Sequence, residues 1–443
     1  MKNLFFGAVL LQLLIAGSIS AAGKVYRFDF GTGEAAAGFT KVTADDLYYE
    51  EKGYGFDFVQ TALQAVRRGD GLSGDFITSG GKPFYFSVKV PEGNYRIKIT
   101  LGDKEGESCT TLRAESRRLM ALAVKTQKGE VTTREFFLNI RTPKLDDGTT
   151  IRLKPREYAK PDWDDRLTVE FTDVNPCVCA VEIEEIDAVT MFICGDSTVV
   201  DQDNEPWCAW GQIIPLFMNN RIAIANYAES GEDARSFTGE KRWGKLMDKI
   251  KADDYVLIQF GHNDGKYRDP YGIYKEAYRT YIKEAREKNA VPVIVTPMNR
   301  RTFTDGVMKT TFADYVTALY QLAQEENTAL IDLNAASITL FNAMGEEPSR
   351  KAFIHYEANT FYGEPKRLAD NTHFSSYGAY ELAKCIIEGI KASNLPLKNF
   401  IAESYAPFNP AHPDDFESVK IPLSLYVETH APGTNPNFPN SNP

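Results

Sequence analysis

The sequence predicts an all-β sandwich followed by an α/β domain on a parallel sheet, and three observations carry that prediction. Residues from about 24 to 188 alternate apolar and polar side chains with period two. From about 189 onward, short apolar runs alternate with helical stretches, the grammar of a parallel sheet with crossover helices. At 443 residues the chain is also long enough for two or three domains of roughly 100–200 residues each.

Taken in order, the first segment is a leader. In MKNLFFGAVLLQLLIAGSISAAG, Lys2 supplies a positive start, Leu4 to Ile15 an apolar core, and Ser18, Ser20, Ala21 and Ala22 a small-residue cleavage site. The apolar core is too short to span a bilayer, so residues 1–22 read as a signal peptide. The mature chain is then exported, to a periplasmic or extracellular place, without integral membrane association. Residues 23–188 form the sandwich: KVYRFDFG, KPFYFSVKVPEGNYRIKITLG, TREFFLNI and DRLTVEF alternate and are rich in Val, Ile, Tyr and Phe. PEGN, between two such runs, predicts a hairpin-like turn.

Residues 189–396 form the α/β domain. Its strands are MFICGDS, RIAIANYA, DYVLIQFG, VPVIVTP and TALIDLN. Its helices are GKLMDKIKA, IYKEAYRTYIKEAREKN, TTFADYVTALYQLAQEEN and SSYGAYELAKCIIEGIKAS, the last with Ser375 and Ser376 as N-cap candidates. Residues 397–443 are rich in Pro and Asn and predict an irregular tail, with IPLSLYVE (421–428) as a candidate strand inside it.

The formal charge of −11 becomes −12 once Lys2 leaves with the leader, a balance that opposes nucleic-acid binding. Six scattered cysteines form no disulfide framework, and their pairing is open. Neither C-x-x-C nor H-E-x-x-H occurs, so a metal site has no sequence support.

In an open α/β sheet, chemistry gathers beyond the carboxyl ends of the strands. The first strand there leads to Gly195, Asp196 and Ser197, the second to Glu229, Ser230 and Gly231, and the third to Gly261, His262, Asn263 and Asp264. One crevice thus receives a hydroxyl, a glycine N–H open to close approach, and an amide donor. Acyl transfer needs that set: Ser197 as nucleophile, with the N–H of Ser197, the N–H of Gly231 and the side-chain amide of Asn263 awaiting the oxyanion. In DNTHFSSYGAY, Asp370 precedes His373 by three residues. That spacing lets the carboxylate orient an imidazole serving as general base.

GDST, the glycine of NYAESGEDARSF, QFGHND and DNTH together resemble the four blocks of the SGNH (GDSL-type) hydrolases. More narrowly, NYAESGEDARSFTGEKRW, DYVLIQFGHND, VPVIVTPMNRRTF and DNTHFSSYGAYELA resemble the rhamnogalacturonan acetylesterases, over roughly residues 190–392. The resemblance implies a flavodoxin-like sheet, a Ser-His-Asp triad and hydrolysis of acetyl esters on pectic polysaccharide without a cofactor. It gives those roles to Ser197, Gly231, Asn263, Asp370 and His373. The N-terminal sandwich resembles galactose-binding-like modules through YRFDFGTG and GFTKV, which implies a possible carbohydrate-binding role.

Other residues read two ways. Trp207 and Trp210 are either sugar platforms or a cap on the next helix. Arg235, Arg300 and Arg301 can each receive a uronate carboxylate or make a structural ion pair. His262 either orients the oxyanion loop, lines the substrate site or is structural. Asp196 points away from the base on an extended segment, and it fixes the loop or lies near substrate. Cys194 reads as a small core hydrophobe. The partner expected is an acetylated plant cell-wall polysaccharide or its oligosaccharides. The rival readings are a xylan, lipid or thioester hydrolase, and a non-catalytic glycan-binding protein on a hydrolase scaffold.

Overall fold

The computed structural model describes residues 23–58 and 61–424. The expected leader lies outside the described residues. Residues 23–186 build two five-stranded sheets that share one core. One runs in the order 131–140, 93–102, 180–186, 25–30, 40–42, and the other 54–57, 84–89, 166–175, 108–114, 118–126. A three-stranded sheet of 177–178, 75–78 and 64–67 lies beside them. Aromatic rings fill the space between the large sheets: Phe86 meets Phe28 and Phe30 edge-on at 5.0 and 4.9 Å.

PEGN is not a hairpin. Phe84–Lys89 pairs with Arg166–Asn175, whereas Gly93–Gly102 pairs with Val131–Ile140 and Ala180–Ile186, in the opposite sheet. The turn therefore carries the chain across the core, and the Tyr95 hydroxyl donating to the Pro91 carbonyl (2.7 Å) holds the arch. Alternation tells which face of a strand is buried and is the same for either partner.

The parallel sheet contains β1 (Val189–Gly195), β2 (Ile222–Asn226), β3 (Tyr255–Gln259), β4 (Val291–Val295) and β5 (Ala329–Ile331), in the order β2-β1-β3-β4-β5. This is the flavodoxin-like order, with its topological switch beside β1. All five are short apolar runs because helices cover both faces. The helices Arg242–Lys249, Lys275–Glu287, Ala313–Glu325 and Ser376–Ala392 stand where periodicity predicts them, and Ser375 caps the last by accepting the Gly378 N–H (3.2 Å). A further helix, Leu333–Met344, was not expected. It starts at Asp332, whose carboxylate accepts the Ala335 N–H (3.1 Å), and buries Leu333, Leu340 and Phe341. Its exposed positions include Ala335 and Ala343 and its buried ones Asn334 and Ser337, so the polar–apolar contrast between faces is weak.

A second unexpected element is the antiparallel pair Phe353–Tyr356 and Leu368–Phe374, which carries DNTH. The Cys208 N–H donates to the Phe374 carbonyl (2.9 Å), tying this pair to the chain just after Ser197. The tail drapes over both halves: Lys384 Nζ pairs with Asp414 (2.5 Å), and the Ser424 hydroxyl donates to Glu170 of the sandwich (2.8 Å). Residues 421–424 form no strand, and the remainder of that expected strand lies outside the described residues.

The two halves meet through buried ions. Arg118, wholly buried, sends Nε to Asp201 (2.6 Å) and Nη2 to Asp162 (3.4 Å), with Arg141 beside the same two carboxylates. Arg117 pairs with Glu205 (2.5 Å), and Arg242 with Glu157 (2.5 Å). Among the described residues all six cysteines are free, and Cys194 is a buried part of the core.

Candidate active site

Three strand ends build the site. Ser197 lies two residues past β1, Gly231 in the loop after β2 and Asn263 four residues past β3, with β2 and β3 flanking β1. The Ser197 hydroxyl donates to His373 Nε2 (2.8 Å), and His373 Nδ1 donates to Asp370 Oδ2 (2.6 Å). The carboxylate thereby selects the tautomer whose Nε2 lone pair faces the hydroxyl. Asp370 Oδ1 accepts the N–H groups of Thr372 (2.7 Å) and His373 (3.1 Å). Burial pushes the Asp370 carboxyl up, but His373 and these N–H groups outweigh it and hold it below the usual range.

Donors for a developing oxyanion are free. Among the described residues, neither the Ser197 N–H nor the Gly231 N–H donates to a protein acceptor. Gly231 adopts φ +84°, a left-handed conformation that favours glycine. Asn263 spends one amide proton on the Glu232 carbonyl (2.8 Å), which orients the group and leaves its second proton available.

The neighbouring residues divide by burial. Asp196 is fully buried and accepts both the N–H (2.9 Å) and the hydroxyl (2.7 Å) of Thr198, so it shapes the loop and offers substrate no surface. His262 is also buried, with Nδ1 3.4 Å from Asp196 Oδ2 and its ring edge-on to Phe312 at 4.7 Å. Trp210 is core, donating from Nε1 to Gln259 (2.8 Å). Trp207 is half-buried.

Arg301 is not free to take a carboxylate. Its Nε donates to Ser349 (3.1 Å), its Nη2 to the Glu346 carbonyl, and its backbone N–H to Asn371 (2.8 Å), bracing the DNTH strand. Arg300 donates to the His262 carbonyl (3.0 Å). Arg235 is exposed, its guanidinium 5.8 Å from the centre of the Tyr267 ring. Of the three arginines, it alone is exposed, Arg300 being half-buried and Arg301 buried.

Burial drives the Asp264 carboxyl up to about 8, against the Ala234 N–H it accepts (3.0 Å) and with Asp233 and Asp196 adding to the rise. Asp264 is therefore protonated at neutral pH in the folded chain, while an unfolded aspartate has lost its proton above about 4. The folded state then binds more protons than the unfolded one between those values, so stability falls as pH rises through that window. The Asp264→Asn variant keeps the acceptor and removes the titration. Its melting temperature is expected to gain on wild type steadily from pH 5 to pH 8 and to level off above. A gap independent of pH would refute this reading.

Sequence reasoning missed three cations that reach this site from the sandwich: Lys154, Arg156 and Lys160, in a stretch between strands 131–140 and 166–175. Arg156 Nε donates to Glu229 (2.7 Å), and Lys160 Nζ lies 3.4 Å from the same buried carboxylate. Burial would raise Glu229, but Lys160, Arg156 and Arg242 prevail and bring it down to about 2. Nothing periodic marks such residues.

The geometry is that of a hydrolase, and sequence relationships agree. Residues 193–379 match the GDSL-like lipase/acylhydrolase family, and residues 26–146 match the β-agarase/YxiM esterase-like, galactose-binding-like domain. Rhamnogalacturonan acetylesterase RhgT of Bacillus subtilis (strain 168) is 38% identical over 218 residues, 48% of this chain and 94% of that protein. The chain belongs to the SGNH (GDSL-type) hydrolases. The hydrolase is also 27% identical over 403 residues to the uncharacterized esterase YxiM of the same bacterium, covering 87% of this chain and 97% of that one. The crystal structure of YxiM aligns over 84% of this chain and 99% of that chain, with 26% identity and a TM-score of 0.43. The protein is thus an SGNH ester hydrolase with an N-terminal galactose-binding-like domain, related to named acetylesterases. Among the described residues, no helix is long and apolar enough to cross a membrane.

Proposed function

We propose that the protein is an exported acetylesterase that removes O-acetyl groups from pectic polysaccharide of the rhamnogalacturonan type. The observation that carries the chemistry is the 2.8 Å hydrogen bond from Ser197 to His373, backed by Asp370. Ser197 Oγ attacks the acetyl carbonyl as its proton passes to His373 Nε2. The tetrahedral oxyanion takes the N–H groups of Ser197 and Gly231 and the Asn263 amide. The bond to the sugar oxygen then breaks, with His373 returning the proton to that oxygen. Water attacks the acetyl-enzyme with His373 again as base, acetate leaves, and Ser197 regains its proton.

Relatedness to RhgT supports the glycan assignment, as do the half-buried Trp207, ten residues past Ser197, and the exposed Arg235, four residues past Gly231. A ring can stack on a sugar face and a guanidinium can grip a uronate carboxylate. Residues 1–22, with their leader pattern, support export.

Acetate release from acetylated rhamnogalacturonan, homogalacturonan and xylan at equal acetyl concentration tests the assignment. The highest kcat/KM is expected on rhamnogalacturonan. Equal or faster release from xylan would move the protein to another glycan, and activity confined to long-chain esters would end the acetylesterase reading.

A further inference from the structure

The peptide unit between Ser230 and Gly231 is gripped from behind. Its carbonyl oxygen accepts Lys154 Nζ at 2.7 Å and Arg156 Nη2 at 2.6 Å. Both cations are anchored by carboxylates on either side of the glycine, Lys154 by the buried Glu232 and Arg156 by the buried Glu229. Their donors come from the N-terminal sandwich, while the loop they hold belongs to the hydrolase domain. The N–H at the other end of this peptide is that of Gly231, and among the described residues it has no protein acceptor.

A planar trans peptide points its C=O and N–H in opposite directions. Two donors pinning the carbonyl therefore fix where the N–H aims. Hydrogen bonds to a carbonyl also polarise the amide and strengthen its N–H as a donor. A Cβ added to Gly231 would stand 3.7 Å from Lys154 Nζ, so a positive charge lies close to the peptide whose N–H is to meet the oxyanion.

We propose that Lys154 and Arg156 are positioning residues for ester hydrolysis: they aim and polarise the Gly231 N–H, so that the N-terminal domain completes the oxyanion hole. The proposal rests on the assignment of Ser197 and Gly231 above and gives the sandwich a part in catalysis apart from any glycan it holds. Neither cation touches the reacting atoms. Their effect passes through one peptide group.

The test uses the full chain and 4-nitrophenyl acetate, a neutral substrate with no carboxylate for either cation to bind. The double variant Lys154→Met/Arg156→Met is expected to lose about 10- to 100-fold in kcat with KM within twofold, less than outright loss of an oxyanion donor because the N–H remains but is misaimed. Arg156→Lys, which keeps a donor, is expected to retain most of the activity. The rate at which an uncharged aryl phosphonate modifies Ser197 is expected to fall by the same factor as kcat, since its phosphoryl oxygen occupies the oxyanion position. Because the variant leaves the buried Glu232 without Lys154, its melting temperature is expected to fall, so kcat is compared well below both midpoints, where circular dichroism must show both enzymes folded.

Wild-type kcat in the double variant would overturn the proposal. So would a loss confined to KM, or one seen only on acidic polysaccharide, which would make the cations ligands for substrate carboxylates. A Ser197→Ala control separates the two levels of inference. If that enzyme still turns over, the site assignment itself fails. If it is dead while the double variant is fully active, only the positioning role fails.

Discussion

The Ser197→Ala enzyme is expected to release acetate on the order of 10⁶-fold more slowly than wild type while folding normally. Loss of the nucleophile in a unit of this kind costs nearly as much as loss of the whole unit, since base and orienting acid act only through it. The structure explains why folding is spared. The Ser197 hydroxyl bonds His373, but that ring is held independently by Asp370, and the strand bearing both is tied down through Phe374 and Arg301. The loop keeps its shape through Asp196 and Thr198 and through the Gln202 amide, which donates to the Ser197 carbonyl (2.7 Å). Circular dichroism and melting should match wild type. Retained acetate release would remove Ser197 from the mechanism.

The second large effect concerns stability. Arg118→Met is expected to cost about 3–5 kcal/mol, because among the described residues it leaves two buried carboxylates with Arg141 as the one cation within ion-pair distance of them. Burial already raises Asp201 despite the pull of Arg118, so removing that pull leaves an aspartate that must take up a proton or stay unpaired. The damage would spread toward the active site. Asp201 lies four residues after Ser197, and its other oxygen accepts the Asn226 amide (2.8 Å) at the end of β2. A urea midpoint read alongside kcat measures both consequences. Adding Asp201→Asn to the variant should restore part of the loss, since the amide keeps an acceptor for Asn226 without a charge. A midpoint shift below about 1 kcal/mol would show that the ion cluster tolerates the loss.

Much of this architecture was legible in the residues. Period-two alternation marked the sandwich strands, and five apolar runs marked the parallel sheet, because burial on one face or on both leaves a local and periodic trace. The loop that leaves the carboxyl end of each parallel strand is likewise local, so Ser197, Gly231 and Asn263 could be read off as neighbours before any coordinates. The three-residue spacing of Asp370 and His373 carried their pairing.

Other features had no local trace. PEGN has the composition of a hairpin turn yet joins opposite sheets, since pairing partners are chosen by the packed core and not by the turn. Arg301 and Arg235 look equivalent in sequence, but one is spent on Ser349 and Asn371 while the other stays at the surface. Asp196 stands beside the nucleophile in sequence and is sealed beneath it in space.

The two fold classes were thus determined by sequence alone, and the candidate donors and the candidate nucleophile and base could be named from it, because each depends on burial pattern or on short spacing. Tertiary structure alone decided that Ser197 meets His373 across 176 residues, and that Lys154 and Arg156 of the sandwich close on the Ser230 carbonyl. Contacts of that kind arise where two separately patterned domains bury charge against each other. Their partners are set by the fit of the two surfaces, and no periodicity in either segment encodes that fit.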